Sequence, residues 1–413
     1  MAHEIIVDVC TTSVFRDSLG FDEFFKGAAG AAGKYGYKLN VVDIDKITVE
    51  KYLQRKKGEK NLYVLVIGVN TILAEEIFKG LKRAAIPFIM ANRGVPSLYG
   101  TNIVSVSFAD AARDLTNHLI KGGRKRIAFL GFNSHSSPSI NKLEGYRIAL
   151  EENGIPFDCG NVFNHTDRPI MDAVRDFALK ARLYDAVLCS TDAIAVVLLK
   201  SGCLKNIFIP GDLALVGFDD FVVGRLVKPR ITTVRPFLGQ VGEMSIRAIQ
   251  LMQEEKNLRN TVLLTDYRIN VRESCGIGSL QKKQTTEKPD SKREKQEGAA
   301  FPHNVSGGQG ADDNIRSFDP DLDLDIVRVH SLEALFSRLK PIELKILVRM
   351  LEGYIYKDIA KEVFLSEVSI KYYVRRMKMG AGVGSAGELM EMIDKYLDTR
   401  HMTYGDIERA LFG

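Results

Sequence analysis

The sequence predicts an α/β domain built on parallel sheets, followed by a small all-α domain. From residue 4 to about 275, runs of Val, Ile, Leu and Phe bounded by Gly and Pro alternate with amphipathic segments of helical spacing. From about residue 331 to 397 the apolar spacing is helical throughout. Continuous apolar runs indicate strands buried on both faces, and their alternation with helices implies parallel sheets with helices on either side.

The α/β elements follow one another in the order expected of such a domain. The strand "EIIVDV" leads to the helix "DEFFKGAAGAAGKYG", which ends near Gly36, and the strand "YKLNVVDI" leads to a helix at about 48–56. Further strands are predicted in "LYVLVIG", "IPFIMAN", "RIAFLGF", "DAVLCS" and "LALVGFD". Further helices are predicted in "TILAEEIFKGLKRA", "NKLEGYRIALEENG" and "AIAVVLLKSG".

Composition limits the class of protein. A chain of 413 residues with 45% hydrophobic and 26% charged residues is expected to form two or three packed domains. The net charge of +5 permits nucleic-acid binding without indicating it. The five cysteines form no Cys-x-x-Cys pair, so we expect free thiols and no metal site or cofactor. The N-terminus lacks a signal-peptide pattern and no apolar run is long enough for a membrane span, which predicts a cytoplasmic protein without membrane contact.

Catalytic motifs are missing from the α/β region. It contains no Walker pattern, no G-x-G-x-x-G and no Gly-x-Ser-x-Gly. His118, His135 and His165 are isolated from any partner motif and are expected to be structural or exposed. We therefore predict no catalytic residue and keep an enzyme only as the third interpretation.

Polar side chains follow several of the predicted strands. Ser13, Asn92-Arg93, Thr191-Asp192 and Asp219 each come directly after one. Ligands of open α/β sheets bind outside the carboxyl ends of the strands. Arg and Asp in a cleft can bind hydroxyl groups through charge-assisted hydrogen bonds. Each residue alone could equally be a helix cap or an internal ion pair, and it is their shared location that predicts a ligand site.

The C-terminal part divides into a linker and five helical segments. Residues 276–330 are rich in Lys, Glu, Gln, Gly and Ser, and we predict a flexible linker there. Beyond it, Pro341 suits a first helical turn, Gly353 a helix end and Ser366 an N-cap. The helical segments are "SLEALFSRL", "PIELKILVRMLEG", "YKDIAKEVF", "SEVSIKYYVRRMK" and "SAGELMEMIDKYL".

The fourth of these segments carries a cluster of basic residues. Its apolar residues Ile370, Val374 and Met377 fall at i, i+4 and i+7 and predict the buried stripe. Lys371, Arg375 and Lys378 repeat that spacing one step round, with Tyr372 and Arg376 at their flanks. Such a face is either solvated or enters the major groove of DNA.

The segment "LKPIELKILVRMLEGYIYKDIAKEVFLSEVSIKYYVRRMKMGAGVGSAGEL" resembles the LuxR-type helix-turn-helix domain, over roughly residues 337–397. The resemblance implies a DNA-binding unit at 331–398 with a tail at 399–413. It implies that Lys371, Tyr372 and Arg375 face bases, that Lys357 and Arg376 lie nearer phosphates, and that Lys378 adds a further cation. Lys340 stands where this family usually has a capping Thr or Ser, and Gly380-Ala381 replace a Lys-Leu-like pair.

The motifs "RIAFLGF", "IPGDLALVGFDD", "PRITTVRPFLGQVGEMSIRAIQLM" and "INVRES" resemble the sensor module of LacI/GalR-type repressors. The resemblance spans 4–275 and implies a periplasmic-binding-protein-like fold of two lobes, crossed three times by the chain. It implies a small effector, often a sugar, in the cleft between the lobes. The residues carried over to that cleft are Phe21, Arg93, Lys142, Asp192 and Asp219, with Ser13 at its edge.

Together these features predict a ligand-responsive transcription regulator that binds DNA, senses a small molecule and forms a homodimer. The alternative is a regulator whose sensor domain serves only dimerisation or partner docking. The last helix carries a wide apolar stripe, including Leu389, Met392 and Tyr396. This stripe is expected either in a dimer contact or against the C-terminal tail.

Overall fold

The protein is described here from a computed structural model. The structure describes residues 4–92, 101–254, 260–277, 320–397 and 404–412. Within these ranges, no helix combines the length and the apolarity needed to cross a bilayer. The same ranges hold no group of three or more His, Cys, Asp or Glu side chains arranged to bind a metal ion.

The first of the two lobes is organised around a six-stranded sheet. Its strands are β1 (Ile6–Thr11), β2 (Lys38–Asp43), β3 (Leu62–Val66), β4 (Phe88–Ala91), β5 (Asn102–Val106) and β11 (Val262–Thr265). They lie in the order β11-β5-β4-β3-β1-β2, and all neighbours are parallel. Val9 is level with Val41 on one side and Leu65 on the other. The predicted strands β1, β3 and β4 lie in the interior of this order, and their residues are largely buried. This burial on both faces is what their apolar composition predicts.

The second lobe repeats this arrangement with another six-stranded sheet. Its strands are β6 (Ile127–Phe132), β7 (Val162–Asn164), β8 (Ala186–Cys189), β9 (Ala214–Phe218), β10 (Thr232–Pro236) and β12 (Tyr267–Asn270). The order is β12-β10-β9-β8-β6-β7, and only β12 runs antiparallel to its neighbour. The prediction of parallel sheets is confirmed, with this edge strand as the exception.

Ten helices connect the strands of the two lobes in the described residues. They are α1 (Ser13–Arg16), α2 (Leu19–Tyr35), α3 (Val49–Arg55), α4 (Thr71–Arg83), α5 (Phe108–Lys121), α6 (Ser137–Glu152), α7 (Ile170–Lys180), α8 (Asp192–Lys200), α9 (Val222–Leu226) and α10 (Leu238–Glu254). Helix α10 packs against α2 in the first lobe, and α5 packs against α6 in the second. The assignment of the strands to the two sheets shows that the chain passes between the lobes after β5, after β10 and after β11. This confirms the three predicted crossings.

Six helices follow in the C-terminal part that the structure describes. They are α11 (Pro320–Phe336), α12 (Pro341–Leu351), α13 (Tyr356–Glu362), α14 (Glu367–Ala381), α15 (Ala386–Tyr396) and α16 (Tyr404–Phe412). The linker prediction is wrong for 320–330, because α11 already begins at Pro320. Its Ile326, Val329 and Leu332 repeat every three residues, a spacing that buries one helix face. The remaining part of the predicted linker, 278–319, lies outside the described residues.

The C-terminal helices share a core with the second lobe. Val329 and Leu332 of α11 belong to the same buried cluster as Val223 and Leu226 of α9. Helix α11 contacts α7, α8 and α9 of that lobe as well as α14 and α15, and α16 contacts both α9 and α12. The helical unit is therefore packed against the second lobe in this structure.

Candidate ligand cleft and nucleic-acid interface

A cavity of about 530 Å³ lies at the carboxyl ends of the strands of the second lobe. It is lined by the N-terminal turns of α6, α7 and α8 and by one side of α11. The polar residues around it are Asn133, Ser136, Ser139, Lys142, His165, Arg168, Ser190, Thr191 and His330. A polar cavity at this edge of a parallel sheet is where a ligand of such a fold is expected.

Lys142 is the predicted residue most clearly placed at this cavity. Its side chain is almost wholly buried, and Nζ donates to the Ser190 carbonyl at 2.8 Å. Nζ also lies 3.9 Å from an Asp219 carboxylate oxygen and 4.4 Å from the centroid of the Phe218 ring. Burial lowers the pKa of Lys142, and the nearby carboxylates of Asp219 and Asp192 partly offset this shift. The ammonium group is thus presented to the cavity by a fixed set of partners.

The two predicted aspartates occupy different environments. Asp219 follows β9 with a φ of 99°, and about a quarter of its side chain is exposed beside Lys142. Asp192 is fully buried, and its Oδ2 accepts a hydrogen bond from the Phe221 backbone N–H at 2.8 Å. Burial, together with the Asp219 carboxylate, raises the pKa of Asp192 well above its usual range. The buried Asp192 carboxylate therefore binds the backbone of the loop after β9. This corrects the prediction that Asp192 lines the ligand cleft.

The residues predicted in the first lobe are occupied by contacts within that lobe. Ser13 Oγ donates to an Asp45 carboxylate oxygen at 2.5 Å, and its backbone N–H donates to the same carboxylate. Phe21 is only 5% exposed and stacks on Phe25 with ring centroids 5.6 Å apart. The prediction that Phe21 lines the cleft is corrected, because its ring belongs to the core of the first lobe. Arg93 lies outside the described residues.

Three cavity residues come from α11, which the sequence analysis did not connect with the cleft. Ile326 and Val327 contribute apolar surface, and His330 lies one turn further along. The His330 ring meets the Phe221 ring edge-on, with centroids 5.6 Å apart. Desolvation in this setting lowers the pKa of His330 from its ordinary value, and the Asp219 carboxylate acts in the opposite direction. The only sequence signal was the apolar spacing in "DIVRVHSLEALF", and that spacing says nothing about a non-local partner.

Helix α11 is anchored on the second lobe by a buried carboxylate. Glu333 accepts a hydrogen bond from the Val223 backbone N–H at 2.9 Å, at the start of α9. Burial raises the pKa of Glu333 to about 7, although this hydrogen bond and the cation of Arg225 act in the opposite direction. Beyond the helix, Arg338 donates to the Asp17 carbonyl at 2.8 Å and lies 3.2 Å from the Asp22 carboxylate. The segment that carries α11 therefore contacts both lobes.

The predicted helix pair is present as α13 and α14, joined by a tight turn. Phe364 in that turn has a φ of 55°, and Ser366 caps α14 by accepting from the Ser369 backbone N–H. Ile370, Val374 and Met377 are buried, which confirms the predicted stripe. Gly353 has a φ of 84° after α12, as the predicted helix end requires.

The opposite face of α14 is solvent-accessible. Lys371, Tyr372 and Arg375 are all exposed, and so is Lys357 on α13. Lys371 forms a surface ion pair with Glu367 at 3.1 Å, a contact that is worth little in water. Lys371, Tyr372 and Arg375 thus form a row of long, exposed polar side chains in the N-terminal half and middle of α14.

Two other predicted DNA contacts have partners within the domain. The Arg376 guanidinium forms an ion pair with the buried Glu343 of α12 at 2.7 Å. Lys378 Nζ donates to the Gly384 carbonyl at 2.9 Å. The charge of Arg376 thus compensates a buried carboxylate, a role that the sequence did not indicate, and its predicted position near phosphates stays a prediction.

The apolar stripe of α15 is covered within the chain. Leu389, Met392, Ile393 and Tyr396 are buried, and α15 contacts α8, α11 and α14. The stripe thus packs on the second lobe and on neighbouring helices, in the same buried cluster as Ile407 of the tail helix α16. Helix α16 also contacts α9 and α12.

Comparison with known proteins agrees with this geometry. A family model described as a periplasmic binding protein-like domain matches residues 116–275. Catabolite control protein A of Priestia megaterium is 25% identical over 270 residues, which are 62% of this chain and 77% of that protein. The HTH-type transcriptional regulator GalR of Escherichia coli (strain K12) is 33% identical over 149 residues, which are 36% of this chain and 43% of that protein. Catabolite control protein A of Staphylococcus aureus (strain Mu50 / ATCC 700699) is matched over 63% of its length.

A solved structure of a transcriptional regulator CelR-cellobiose complex has the same fold. It superposes with a TM-score of 0.57 at 22% sequence identity, covering 66% of this chain and 84% of that one. Of these relatives by sequence, GalR is named as a transcriptional regulator. These matches show a periplasmic binding protein-like domain at residues 116–275 and a sequence similarity of the α/β region to catabolite control protein A and GalR.

Proposed function

We propose that this protein is a cytoplasmic, ligand-responsive transcription regulator that binds DNA through α12–α15. The observation that carries the proposal is the exposed row of Lys371, Tyr372 and Arg375 on α14, next to a cavity-bearing lobe of the LacI/GalR type. The helices α12–α15 follow the pattern of a LuxR-type helix-turn-helix domain, with α14 as the helix that enters the major groove.

The DNA-binding part is tested by mapping where the protein binds across a genome and by mobility shifts on the sites recovered. A defined set of sites that share one sequence motif supports the proposal. Binding that is spread evenly over the genome, with an affinity that depends only on the length of the DNA fragment, would contradict the proposal. Such binding reflects electrostatic contact with phosphates, which has no sequence preference.

The effector is proposed to be a small molecule with several hydroxyl groups, such as a sugar. Asn133, Ser139, Lys142 and Thr191 offer hydrogen-bonding groups around the cavity, while Ile194 offers an apolar surface. A relative of this fold was solved as a cellobiose complex, which supports the same class of ligand. Titration calorimetry against a library of monosaccharides and disaccharides tests it.

A second candidate is a sensor domain that serves only dimerisation or docking of a partner. The observation in its favour is that Ser13, Phe21 and Asp192 have internal partners in the structure. This candidate predicts no heat of binding with any sugar, together with normal DNA binding. In either case we propose a homodimer, which light scattering on the intact chain tests.

A further inference from the structure

One wall of the cavity comes from the C-terminal unit rather than from either lobe. Val327 and His330 of α11 face the same cavity as Lys142 and Thr191. The His330 ring packs against Phe221, which directly follows the loop that carries Asp219. A molecule in this cavity therefore contacts the second lobe and α11 at the same time.

The same helix packs against the helix of the proposed DNA contact. Helix α11 contacts α14, and Leu335 Cδ1 would lie 3.8 Å from a Cβ atom placed on Gly380 in the last turn of α14. Leu335 and Met377 belong to one buried cluster. A change in the position of α11 is therefore transmitted to α14 through direct packing, since packed side chains have few alternative arrangements.

The lobe side supplies most of the polar groups of the cavity, including Asn133, Ser139 and the Lys142 ammonium, together with the apolar Ile194. Helix α11 adds the apolar surface of Ile326 and Val327 and the His330 ring. A ring with hydroxyl groups along its edge and C–H groups on its face suits such a pocket, with the edge toward the lobe and the face toward α11.

We propose that α11 forms part of the effector site, so that a sugar bound in the cavity contacts, through Val327 and His330, the helix that packs directly on α14. The inference rests on the proposed function, because it takes this cavity as the effector site. A ligand that needs both walls binds only the docked position of α11 and therefore favours it over any undocked position. The coupling then does not depend on the segment at 278–319.

The chain contains no tryptophan, so a single introduced indole is a specific fluorescent reporter. Val327→Trp places it in the cavity wall, and Leu179→Trp places the matched control on α7 at a side chain that is 88% exposed. We expect the indole at 327 to emit at shorter wavelength and to be quenched less by acrylamide than the indole at 179. Adding Glu333→Ala to the Val327→Trp protein should raise quenching toward that of the control, and His330→Ala provides a milder variant should the first fail to fold.

The second arm adds each sugar that binds the unsubstituted protein in calorimetry. A shift in the emission of the Val327→Trp protein, with none in the Leu179→Trp protein, supports the inference. It is overturned by equal quenching at the two positions, or by a sugar that binds and leaves the emission at 327 unchanged. Failure of the proposed function is a separate result, namely no sugar binding in calorimetry and no sequence-specific DNA in the mobility shift.

Discussion

The guanidinium of Arg376 on α14 lies 2.7 Å from the carboxylate of Glu343 on α12. The same carboxylate oxygen accepts a hydrogen bond from the Lys340 backbone N–H at 3.0 Å, at the start of α12. Glu343 is almost wholly buried, so these two contacts compensate a charge that water does not reach. Arg375, the next residue along, is exposed on the other side of α14. Two adjacent arginines therefore have different roles.

Replacing Arg376 should destabilise the fold. Arg376→Ala leaves the buried carboxylate of Glu343 without its cation, a change that costs about 3–5 kcal/mol in a fully buried pair. Because 40% of the Arg376 side chain is exposed, we expect a smaller loss of about 1–3 kcal/mol. Urea denaturation of the intact chain measures it.

The matched control for this loss is Arg375→Ala, which removes the same charge from the neighbouring position. Its free energy of unfolding should stay within about 0.5 kcal/mol of that of the unsubstituted protein, because the substitution is on the surface. Equal stability of the two variants would show that the contact with Glu343 contributes nothing to folding.

Replacing the exposed residues of α14 should weaken DNA binding without changing stability. Lys371→Ala and Arg375→Ala are each expected to cost about 1–3 kcal/mol on a specific site if the side chains contact base edges. The ion pair between Lys371 and Glu367 is on the surface, so its loss should hardly affect folding. Mobility-shift titration on a site recovered by genome mapping gives both affinities.

Lys26→Ala is the control for net charge in this experiment, since Lys26 is exposed on α2 in the first lobe. It should leave the affinity unchanged at fixed salt concentration. If Lys371→Ala and Arg375→Ala bind as tightly as Lys26→Ala, the assignment of this face of α14 to DNA is wrong.

Docking of α11 should weaken as the pH rises through neutrality. Burial raises the pKa of Glu333 to about 7 from an ordinary value of 4.5, so the folded chain holds this proton more tightly than the unfolded chain. The contribution is fully present below about pH 4.5 and is lost as the pH rises through 7, with an upper bound of about 3 kcal/mol. Urea denaturation at pH 5.5 and pH 8 should give the lower stability at pH 8.

Glu333→Gln isolates this contribution, because the amide keeps an acceptor for the Val223 backbone N–H without titrating. The difference in stability between the two pH values should shrink in this variant. Asp220 and Arg225 also influence Glu333 and are unchanged in it. An undiminished difference would mean that another group causes the pH dependence.

Much of the fold is encoded in local patterns that the sequence displays. The strands β3, β8 and β9 are continuous apolar runs, and parallel pairing follows from their alternation with helices. The capping residue Ser366 and the helix-ending Gly353 act through their own backbone neighbours, so their roles could also be predicted.

The roles that could not be predicted depend on contacts between distant segments. The helical spacing places Arg376 beside the exposed row of α14, but it does not show that α12 brings the buried Glu343 to it. Asp192 and Asp219 both follow strands, and only the loop after β9 decides which is buried. The contact between Glu333 and the Val223 backbone joins residues 110 positions apart, and no periodicity indicates such a pair.

The last prediction compares Lys142, which lines the cavity, with Asp192, which the sequence also placed in the cleft but which does not line the cavity. Lys142→Met should abolish or strongly weaken binding of any sugar found by calorimetry, because it removes the buried ammonium that faces the cavity. The protein should stay folded, since a methionine fits between the Phe108 and Phe218 rings and replacing a buried charge by an apolar side chain of similar volume is often neutral or stabilising. Asp192→Asn is the matched control: its side-chain oxygen can still accept from the Phe221 N–H, and Asp192 does not line the cavity. Its affinity for the sugar should match that of the unsubstituted protein, and the opposite ranking of the two variants would return Asp192 to the ligand site and remove Lys142 from it.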